Sequence, residues 1–488
     1  MNIKIANRLN KQNIERGIHY LKRNGLYETF YKALERLNRD GDEEDYSRLF
    51  TSSLPTREEL EEQRGSSFTH RYKISILVPA YETDVGFLEQ MLESVIHQTY
   101  DNWELCIADG SAGDQVKKTV MGMIGRFGDL TGCNRIKYQK LEKNLGISEN
   151  TNAALAMATG EYIGLLDHDD LLVPSALYEV MSALEAGLYR EGNVYQNRIS
   201  AIYSDEDKID AAGKTYFDYH KKPEFDIDLL RSNNYICHFF VVRSELAEHT
   251  GGFLSEYNGA QDHDFIFRCV ENLSPQEVHH IPKVLYHWRA HETSTADNPE
   301  SKIYAYEAGK RAIEDHLERM GLEAEVIYTP HLGFFRVKYM VRNARVRLIS
   351  KEAWDVMTRE DIDGIEEDYI MILADNLKPL TKDWQAELAS NLERKEVGAV
   401  GGKIYDKNFR IESAGYSRND EGRLVANFRC MNGHYSGYLH RASLQQQVEG
   451  VALDCMMIKK KAIEGEEKLT MSKDYIVVYD PYAEFKRK

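Results

Sequence analysis

The fold is decided by the stretch Tyr162-Ile163-Gly164-Leu165-Leu166-Asp167-His168-Asp169-Asp170, in which a short apolar run ends in three acids. Such a run is typical of a buried strand in a parallel sheet, and ligands bind beyond the carboxyl ends of these strands. Carboxylates gathered there repel one another unless a cation shares them, and hard oxygen ligands suit Mg²⁺ or Mn²⁺. The alternative is an acidic loop in which Asp170 is the N-cap of the next helix.

Length, charge and cysteine content narrow the class of protein. A chain of 488 residues predicts roughly two to four domains. The net charge of −17 argues against general nucleic-acid binding, although a bound metal would still allow an anionic ligand. The six cysteines include no C-x-x-C pair, which predicts buried free thiols in a reducing compartment. Since the chain has neither a bilayer-spanning apolar run nor the apolar core of a signal peptide, we expect a cytoplasmic protein.

Residues 1–70 are predicted to form a separate N-terminal helical segment, because apolar residues recur there at helical spacing. The first helix is basic, unlike the rest of the chain. Its basic residues are Lys4, Arg8, Lys11, Arg16, Lys22 and Arg23. This pattern indicates either a peripheral contact with anionic lipids at the inner face of the plasma membrane or an ordinary solvated face.

From residue 73 onward, apolar strands alternate with helical patterns. The first strands are expected at residues 74–78, 103–108, 136–141 and 162–166. This β-α-β-α-β-α-β order predicts a parallel sheet with helices on both faces. Three consecutive strands end in polar or acidic tips, and we expect these tips to face a common ligand.

Later segments of this region are less regular. Residues 214–236 are polar and aromatic, which indicates a long functional loop or a helix pair. The acidic run 204–207 follows a predicted strand and is interpreted either as a solvated face or as lining of an acceptor site. Further strands are predicted at residues 237–242 and 284–289.

The remaining residues, 323–488, form a weaker copy of the same pattern. Tyr369–Asn376 resembles the opening stretch but carries one acid, Asp375, where the first copy has three. This indicates a degenerate internal repeat. We expect a non-catalytic module that shapes the acceptor path or supports a homodimer; a second active site at Asp375 is the alternative.

Four motifs together carry a family resemblance. They are Val78-Pro79-Ala80-Tyr81, Ala108-Asp109-Gly110-Ser111, Leu166-Asp167-His168-Asp169-Asp170 and Gln261-Asp262-His263-Asp264. Their order and spacing resemble family 2 glycosyltransferases of the GT-A fold over about residues 73–295. The chain also resembles bacterial two-module enzymes that build surface polysaccharides of the rhamnan or O-antigen type.

The resemblance implies an α/β fold with a GT-A (Rossmann-like) mixed sheet flanked by helices. In this interpretation residues 1–70 are the N-terminal helical segment, residues 71–322 are the catalytic GT-A domain, and residues 323–488 are a partial GT-A-like module. The implied partners are a nucleotide-sugar donor and a glycan or lipid-linked glycan acceptor.

The resemblance assigns the nucleotide-sugar site to the first three motifs. The implied residues are Pro79, Tyr81, Glu82, Asp109, Asp167 and His168. The chemistry agrees, because Pro79 fixes the exit from its strand and Tyr81 can stack on a pyrimidine base. Asp109 can accept the N3–H of uracil or thymine, which favours a UDP- or dTDP-sugar. The alternative for Asp109 is a helix N-cap.

A divalent metal, Mn²⁺ or Mg²⁺, is implied between the protein and the diphosphate. Asp169 is the expected direct ligand. His287 or His291 is expected to add a second contact, and the sequence does not distinguish between them. Such a metal neutralises the nucleoside-diphosphate leaving group.

The resemblance makes Asp262 the general base that deprotonates the acceptor hydroxyl. The family usually has Glu-Asp where this chain has Gln261-Asp262, so the site carries one charge fewer and we expect the pKa of the base to differ from that of relatives. A base opposite the leaving group predicts a single displacement and inversion at the anomeric carbon. The alternative is that Asp262 and Asp264 cap their helix.

Together these features predict a metal-dependent inverting glycosyltransferase of bacterial cell-surface polysaccharide synthesis. A sugar-nucleotide pyrophosphorylase would need a Gly- and Lys/Arg-rich phosphate loop after the first strand, and residues 79–82 are not one. A haloacid-type phosphatase also uses Asp-x-Asp after a strand, but it would need a small residue and Gly, Thr or Val to follow, not Asp169-Asp170-Leu171-Leu172. The third alternative is a non-catalytic nucleotide-sugar-binding scaffold.

Overall fold

The computed structural model describes residues 18–34 except 19, 23, 27 and 28, and residues 43–131, 135–191, 194–291, 303–342, 344–419, 421–464 and 471–488. Among these, no helix is long and apolar enough to cross a lipid bilayer. The chain packs as two compact units. The first unit comprises residues 41–225 and 234–320; the second comprises residues 226–233 and 321–488 together with the helical residues described between 18 and 34.

The first unit is built on a nine-stranded sheet. Its strands, with the separate ribbon β6–β7, are β1 (Ile74–Ala80), β2 (Trp103–Asp109), β3 (Ile136–Lys140), β4 (Tyr162–Leu165), β5 (Leu171–Leu172), β6 (Leu188–Glu191), β7 (Val194–Asn197), β8 (Ala201–Asp210), β9 (Tyr216–His220), β10 (Phe240–Arg243) and β11 (Val278–Ala290). The strand order is β3-β2-β1-β4-β10-β8-β11-β5, with β9 beside β8. Strands β1–β4 are parallel, whereas β10 runs antiparallel to β4 and β8. The predicted mixed sheet flanked by helices is confirmed.

Helices follow the strands of the first unit. In chain order they are α1 (Glu43–Ser53), α2 (Arg57–Arg64), α3 (Val85–Ile96), α4 (Gln115–Thr131), α5 (Ile147–Leu155), α6 (Ala176–Gly187), α7 (Ile227–Ser232, in the second unit), α8 (Ser244–His249), α9 (Gln261–Val270) and α10 (Ile303–Arg319). Helix α2 begins with a capping box formed by Thr56 and Glu59. Helix α3 begins where Asp84 accepts hydrogen bonds from two backbone N–H groups, and it buries an apolar face that includes Leu88 and Leu92.

The core explains why β1 and β2 are largely apolar. Every side chain of β2 is buried, and all of β1 except Pro79 is buried as well. A parallel sheet covered on both faces excludes water from both sides of each strand, so alternation of polar and apolar residues is not required. Only the strand ends are then free to carry polar side chains toward a ligand.

Two segments differ from the sequence prediction. Residues 214–236 contain strand β9 and helix α7 instead of one long loop or a helix pair. The acidic run 204–207 lies inside β8, and its carboxylates are buried, so the solvated-face interpretation is wrong. The physical reason is pairing with histidines on neighbouring segments: Asp205 with His280, Glu206 with His238, and Asp207 with His287. These pairs offset the cost of burying three adjacent acids.

The second unit has its own eight-stranded mixed sheet. Its main strand order is β14-β15-β22-β17-β23-β16, with β18 on β17 and β21 on β23. The strands of this unit, including two short ribbons, are β12 (Ala324–Tyr328), β13 (Phe335–Tyr339), β14 (Val346–Ser350), β15 (Tyr369–Leu373), β16 (Leu377–Pro379), β17 (Val397–Tyr405), β18 (Ile411–Ser413), β19 (Tyr416–Arg418), β20 (Leu424–Ala426), β21 (Gln446–Val448), β22 (Cys455–Lys459) and β23 (Ile476–Arg487). Its helices are α11 (Lys351–Val356), α12 (Arg359–Asp363) and α13 (Trp384–Leu392). Asp228 of α7 is fixed in this unit by a buried ion pair with Arg394, at 2.5 Å.

Two other sequence predictions concern the thiols and the N-terminal segment. Cys106, Cys269 and Cys455 are buried free thiols as predicted, whereas the free thiol Cys237 is only partly buried and the free thiol Cys430 is exposed. Of the basic residues predicted to contact lipid, only Lys22 lies within the described residues, and it is exposed. Residues 43–64 pack with the first unit.

Candidate active site

The carboxyl ends of β1, β2 and β4 place the predicted donor-site residues along one edge of the sheet. In the β1–β2 register Pro79 lies beside Ala108, and Ala80 lies beside Asp109. Beyond β1 the chain turns outward, and Tyr81 is 49% exposed, so its ring is accessible to a ligand. The edge therefore combines an exposed aromatic ring with a buried carboxylate.

Asp109 ends β2 and is fully buried. Its carboxylate accepts hydrogen bonds from the Ser111 backbone N–H (2.8 Å), the Tyr138 hydroxyl (2.6 Å) and the Lys140 ammonium (3.0 Å). Burial alone would raise the pKa of Asp109, but these hydrogen bonds lower it below its usual range, so the group is ionised. Asp109 is not an N-cap of α4, because that helix begins only at Gln115.

Glu82 connects the loops that follow β1 and β2. Its backbone N–H donates to the Ser111 hydroxyl at 2.8 Å, and its side-chain Oε1 accepts from the Ala112 N–H at 2.8 Å. Glu82 adopts a positive φ of 45°, which a non-glycine residue rarely does. The contacts that the structure gives to this carboxylate are with protein backbone, and a direct contact with the nucleotide sugar stays a prediction.

The acids after β4 divide into an accessible group and a buried one. Asp169 is in the accessible group: its Oδ2 lies 2.8 Å from Nε2 of His291, and both side chains are about one-fifth exposed. The adjacent His168 ring contacts the Thr83 hydroxyl at 3.0 Å. Asp167 and Asp169 add negative charge at the same place, as their effect on Asp170 shows.

Asp170 is the buried acid of this stretch. It accepts hydrogen bonds from the Tyr286 hydroxyl at 2.5 Å and from the Arg289 backbone N–H at 2.7 Å. Burial and repulsion from Asp169 and Asp167 raise its pKa well above the usual range. The N-cap interpretation of Asp170 is wrong, because helix α6 begins several residues later. Asp170 instead ties the acidic loop to β11.

The donor set at this loop fits a divalent cation. Carboxylate oxygens of Asp167 and Asp169 are close enough to perturb Asp170, and an imidazole nitrogen of His291 stands beside Asp169. A cation would relieve the repulsion among these acids, and oxygen ligands with one imidazole suit Mn²⁺ and, less well, Mg²⁺.

Of the two histidines predicted to reach the metal, only His291 contacts Asp169. The ring of His287 is buried, and its Nδ1 lies 2.5 Å from Oδ1 of Asp207. The same ring packs against Phe50 and Tyr216. His287 is thus occupied by Asp207 of β8 and packs against α1, so the geometry favours His291 over His287 as the histidine near the metal.

Asp262 lies in the first turn of α9. Its Oδ2 accepts a hydrogen bond from Nδ2 of Asn234 at 2.7 Å. Burial raises the pKa of Asp262, the positive charge of His238 lowers it, and the negative charge of Asp167 raises it again. The electrostatic coupling to Asp167 places Asp262 close to the acidic loop, and the net upward shift makes it a stronger base than an exposed aspartate.

The other polar residues of this turn are occupied by local contacts. Asp264 is buried and forms an ion pair with Arg268 one turn later in the helix. Gln261 accepts a hydrogen bond from the Gly259 N–H at 2.9 Å. Asp262 is thus the acid of this turn that is coupled to the loop after β4.

Sequence reasoning missed a positively charged group beside these acids. The His238 ring lies 3.1 Å from the Glu206 carboxylate and stacks on the rings of Tyr286 and Trp288. Burial would lower the pKa of His238, but Glu206 raises it well above its usual range. His238 also has a positive φ of 82°, an uncommon conformation that the surrounding contacts must maintain.

Glu206 has a second cationic partner. The Lys222 ammonium donates to Glu206 at 2.9 Å and to the Cys237 carbonyl at 2.7 Å. Glu206, Cys237 and His238 are close enough to hold a metal, but Lys222 already supplies the positive charge that the buried carboxylate needs. The sequence contained one sign of this cluster, the polar segment 214–236 close to the acidic run 204–207. It did not indicate that Glu206 pairs with Lys222 and His238.

Part of the chain matches a known protein family. Residues 75–251 match the family model described as Glycosyl transferase family 2. The uncharacterized protein y4gI of Sinorhizobium fredii is 30% identical over 455 residues, covering 80% of this chain and 48% of that protein. The O-antigen biosynthesis protein RfbC of Myxococcus xanthus is 32% identical over 299 residues, covering 61% of this chain and 22% of that protein. This chain therefore spans about half or less of the length of these relatives.

Two solved structures share 17% identity with this chain. Staphylococcus aureus TarS 1–349 in complex with UDP-GlcNAc has a TM-score of 0.38 and covers 50% of this chain and 66% of that chain. The mannosyltransferase PcManGT of Pyrobaculum calidifontis in complex with GDP-Man and Mn²⁺ has a TM-score of 0.36 and covers 54% of this chain and 69% of that chain.

Proposed function

Because the chain belongs to glycosyl transferase family 2, we propose that its first unit transfers a sugar from a nucleotide sugar to a hydroxyl group of a glycan or lipid-linked glycan. One observation carries this proposal. Acidic residues from distant parts of the sequence come together at the carboxyl edge of one sheet. Asp109 ends β2 there, and Asp169 contacts His291 in the loop after β4. Asp262 feels the negative charge of Asp167 in the same loop.

The donor is proposed to be a UDP- or dTDP-sugar. Asp109 is an ionised acceptor at the carboxyl end of β2, and because it is fully buried, the base would contact it by replacing one of the three hydrogen bonds that it now accepts. The N3–H of uracil or thymine can donate that bond, whereas cytosine has an acceptor at N3. The exposed ring of Tyr81 is available to stack on the base.

Asp167, Asp169 and His291 would hold the divalent cation, Mn²⁺ or Mg²⁺. When bound, it would supply positive charge that neutralises the diphosphate leaving group. Tyr286 and Arg289 hold Asp170 and so fix the loop that carries these ligands. The acidic loop therefore enters the reaction already positioned, which lowers the cost of ordering it.

Asp262 is proposed as the general base. Its raised pKa favours proton abstraction from the acceptor hydroxyl, and Asn234 fixes the orientation of the carboxylate. The deprotonated oxygen attacks the anomeric carbon while the bond to the nucleoside diphosphate breaks. With the base opposite the leaving group, this single displacement inverts the anomeric configuration.

The proposed setting is bacterial surface-polysaccharide synthesis. The support is the similarity to a protein named for O-antigen biosynthesis, over 61% of this chain.

A donor screen tests the proposed function. The full chain is incubated with UDP-, dTDP- and GDP-sugars, with Mn²⁺ or Mg²⁺, and release of the nucleoside diphosphate is measured. We expect release from a pyrimidine nucleotide sugar that depends on the metal, and none from the GDP-sugars. Formation of a nucleotide sugar from a sugar phosphate and a nucleoside triphosphate would instead identify a pyrophosphorylase, and binding without turnover would identify a scaffold.

A further inference from the structure

A cavity of about 500 Å³ lies within the second unit. None of the residues assigned above to sugar transfer lines it. Its wall is rich in aromatic rings, among them Tyr328, His331, Tyr405, Phe409, His434 and Tyr482. A cavity of this size with an aromatic wall and a few polar groups is typical of a site for a small organic ligand.

Lys403 of β17 is the most unusual residue of this wall. It is only 4% exposed, and no described residue accepts a hydrogen bond from its ammonium group. Burial lowers the pKa of Lys403 to about 8, and the nearby Glu484 raises it again only in part. A buried charge without an ion-pair partner is costly, and a bound anion would offset that cost.

Two further donors in the wall lack an acceptor. The Nε of Arg336 and the hydroxyl of Tyr482 are buried and make no hydrogen bond with any residue that the structure describes. The guanidinium of Arg336 lies 4.1 Å from the centre of the Tyr482 ring, and its other end pairs with Glu387 at 2.7 Å. Buried donors of this kind normally have partners, so a ligand rich in acceptor oxygens suits the cavity.

The charge of the wall also favours an anion. Its cationic side chains are Lys32, Arg336 and Lys403, and Glu484 is its carboxylate among the described lining residues. Glu484 accepts a hydrogen bond from the Tyr405 hydroxyl at 2.5 Å. Because Arg336 is already paired with Glu387, Lys403 is the buried cation of this wall that a bound anion would neutralise.

The aromatic part of the wall is held by ring contacts. Tyr405 stacks on Phe409 with 4.4 Å between ring centroids, and Phe409 contacts His434 at 4.6 Å. Rings fixed in this way lose little conformational freedom when a ligand binds. Their negative π-faces attract the partially positive C–H groups on one side of a sugar ring.

We propose that this cavity binds a sugar unit that carries a carboxylate or phosphate group, with the acidic group at Lys403 and the sugar ring against the aromatic wall. The assignment of that unit to the acceptor or product glycan rests on the proposed function; the binding itself does not. The second unit is then a glycan-binding module that holds a growing chain while the first unit extends it.

Binding to the full chain tests this proposal directly. The probes are glucuronic acid, glucose 1-phosphate, glucose and inorganic phosphate, titrated by ligand-observed NMR with UDP and Mn²⁺ in excess to fill the donor site. We expect at least one acidic sugar to bind about tenfold more tightly than both glucose and phosphate. Equal affinity for glucose, or for phosphate alone, would overturn the proposal.

Variants locate the binding. Lys403→Met removes the charge and keeps the length of the side chain, and we expect about tenfold weaker binding of the acidic sugar without a lower unfolding temperature. Lys407→Met, at an exposed position near the end of β17, is the matched control. Unchanged binding in Lys403→Met would overturn the proposal.

A second variant keeps the test independent of the folding of the Lys403 variant. Tyr328→Ala removes a half-exposed ring of the wall. We expect it to weaken acidic-sugar binding and to leave inorganic phosphate unaffected, and equal effects on both would contradict the proposed stacking. UDP binding is measured on the same variants, so a failure of the donor site is distinguished from a failure of this cavity.

Discussion

At the residue scale, local sequence motifs identify the acids of the candidate site, but they do not identify the residues that form hydrogen bonds with those acids. Asp109 and Asp262 follow recognisable patterns in the sequence. Their hydrogen-bond partners Tyr138 and Asn234 come from other segments, so no local spacing indicates them. The choice of His291 over His287 was likewise open, because it depends on which face of the chain after β11 points toward the acidic loop.

The partner of Asp262 gives a pH prediction. The base must be deprotonated, so activity rises with pH through its pKa, which burial raises above the usual aspartate range. The N–H donated by Asn234 stabilises the carboxylate. Asn234→Ala should therefore raise that pKa further and move the acidic limb of the kcat/KM profile upward by about one pH unit. Asn408→Ala, at an exposed position, is the control, and a limb that stays in place or moves downward would refute this role.

The Asp169–His291 contact gives a metal prediction. If His291 helps to hold the cation, His291→Ala should raise the Mn²⁺ concentration for half-maximal donor turnover by about 10–100-fold. The measurement is a Mn²⁺ titration of nucleoside-diphosphate release. His249→Ala, at an exposed position in α8, should leave the titration unchanged. An identical titration for both variants would contradict the role of His291.

At the scale of elements, strands with continuous apolar sequence were predictable and strands with unusual composition were not. β1, β2 and β4 follow from their apolar runs, because a strand covered on both faces needs no alternation. β8 contains the run Asp205–Asp207, and only tertiary pairing with histidines makes those positions compatible with burial. The two-residue strand β5 is too short to leave a periodic signal.

The first half of β2 supplies a stability prediction. Burial would raise the pKa of Glu104, but hydrogen bonds from Lys73, Ser75, Lys137 and Thr159 lower it to about 2, from a usual value of 4.5. A lowered folded-state pKa stabilises the protein fully above pH 4.5, and that contribution is lost as the pH falls from 4.5 toward 2.

Glu104→Gln should therefore lower the free energy of unfolding by about 2 kcal/mol at neutral pH and weaken its decline between pH 4.5 and 2. Urea unfolding at several pH values measures both effects, with Glu142→Gln at an exposed position as control. If the free energy of unfolding changed with pH in the same way in the variant and in the parent protein, Glu104 would not be the source of this pH dependence.

At the scale of the whole molecule, the chain contains two units with separate sheets. The partial similarity of Tyr369–Asn376 to Tyr162–Asp170 was visible in the sequence. This segment forms strand β15 and the turn after it. The cavity around Lys403 was not visible, because its wall comes from segments spread over the whole second unit.

The incomplete acidic motif at Tyr369–Asn376 predicts that the second unit does not carry out the sugar transfer. Asp375 is exposed after β15, and in the sequence it is followed by Asn376 where the first copy carries further acids. Asp375→Ala should leave the rate of donor turnover unchanged, whereas Asp169→Ala should reduce it strongly. Complete loss of turnover in the Asp375 variant would indicate a second active site.

The central claim is that Asp262 is the base of a sugar transfer in the first unit, and one measurement tests it most directly. Donor turnover and UDP-sugar binding are compared between the parent protein and Asp262→Asn, with Asp383→Asn at an exposed position as control. We predict turnover about 10²–10⁴-fold lower in the Asp262 variant, with donor binding retained. Near-normal turnover in that variant would contradict the account.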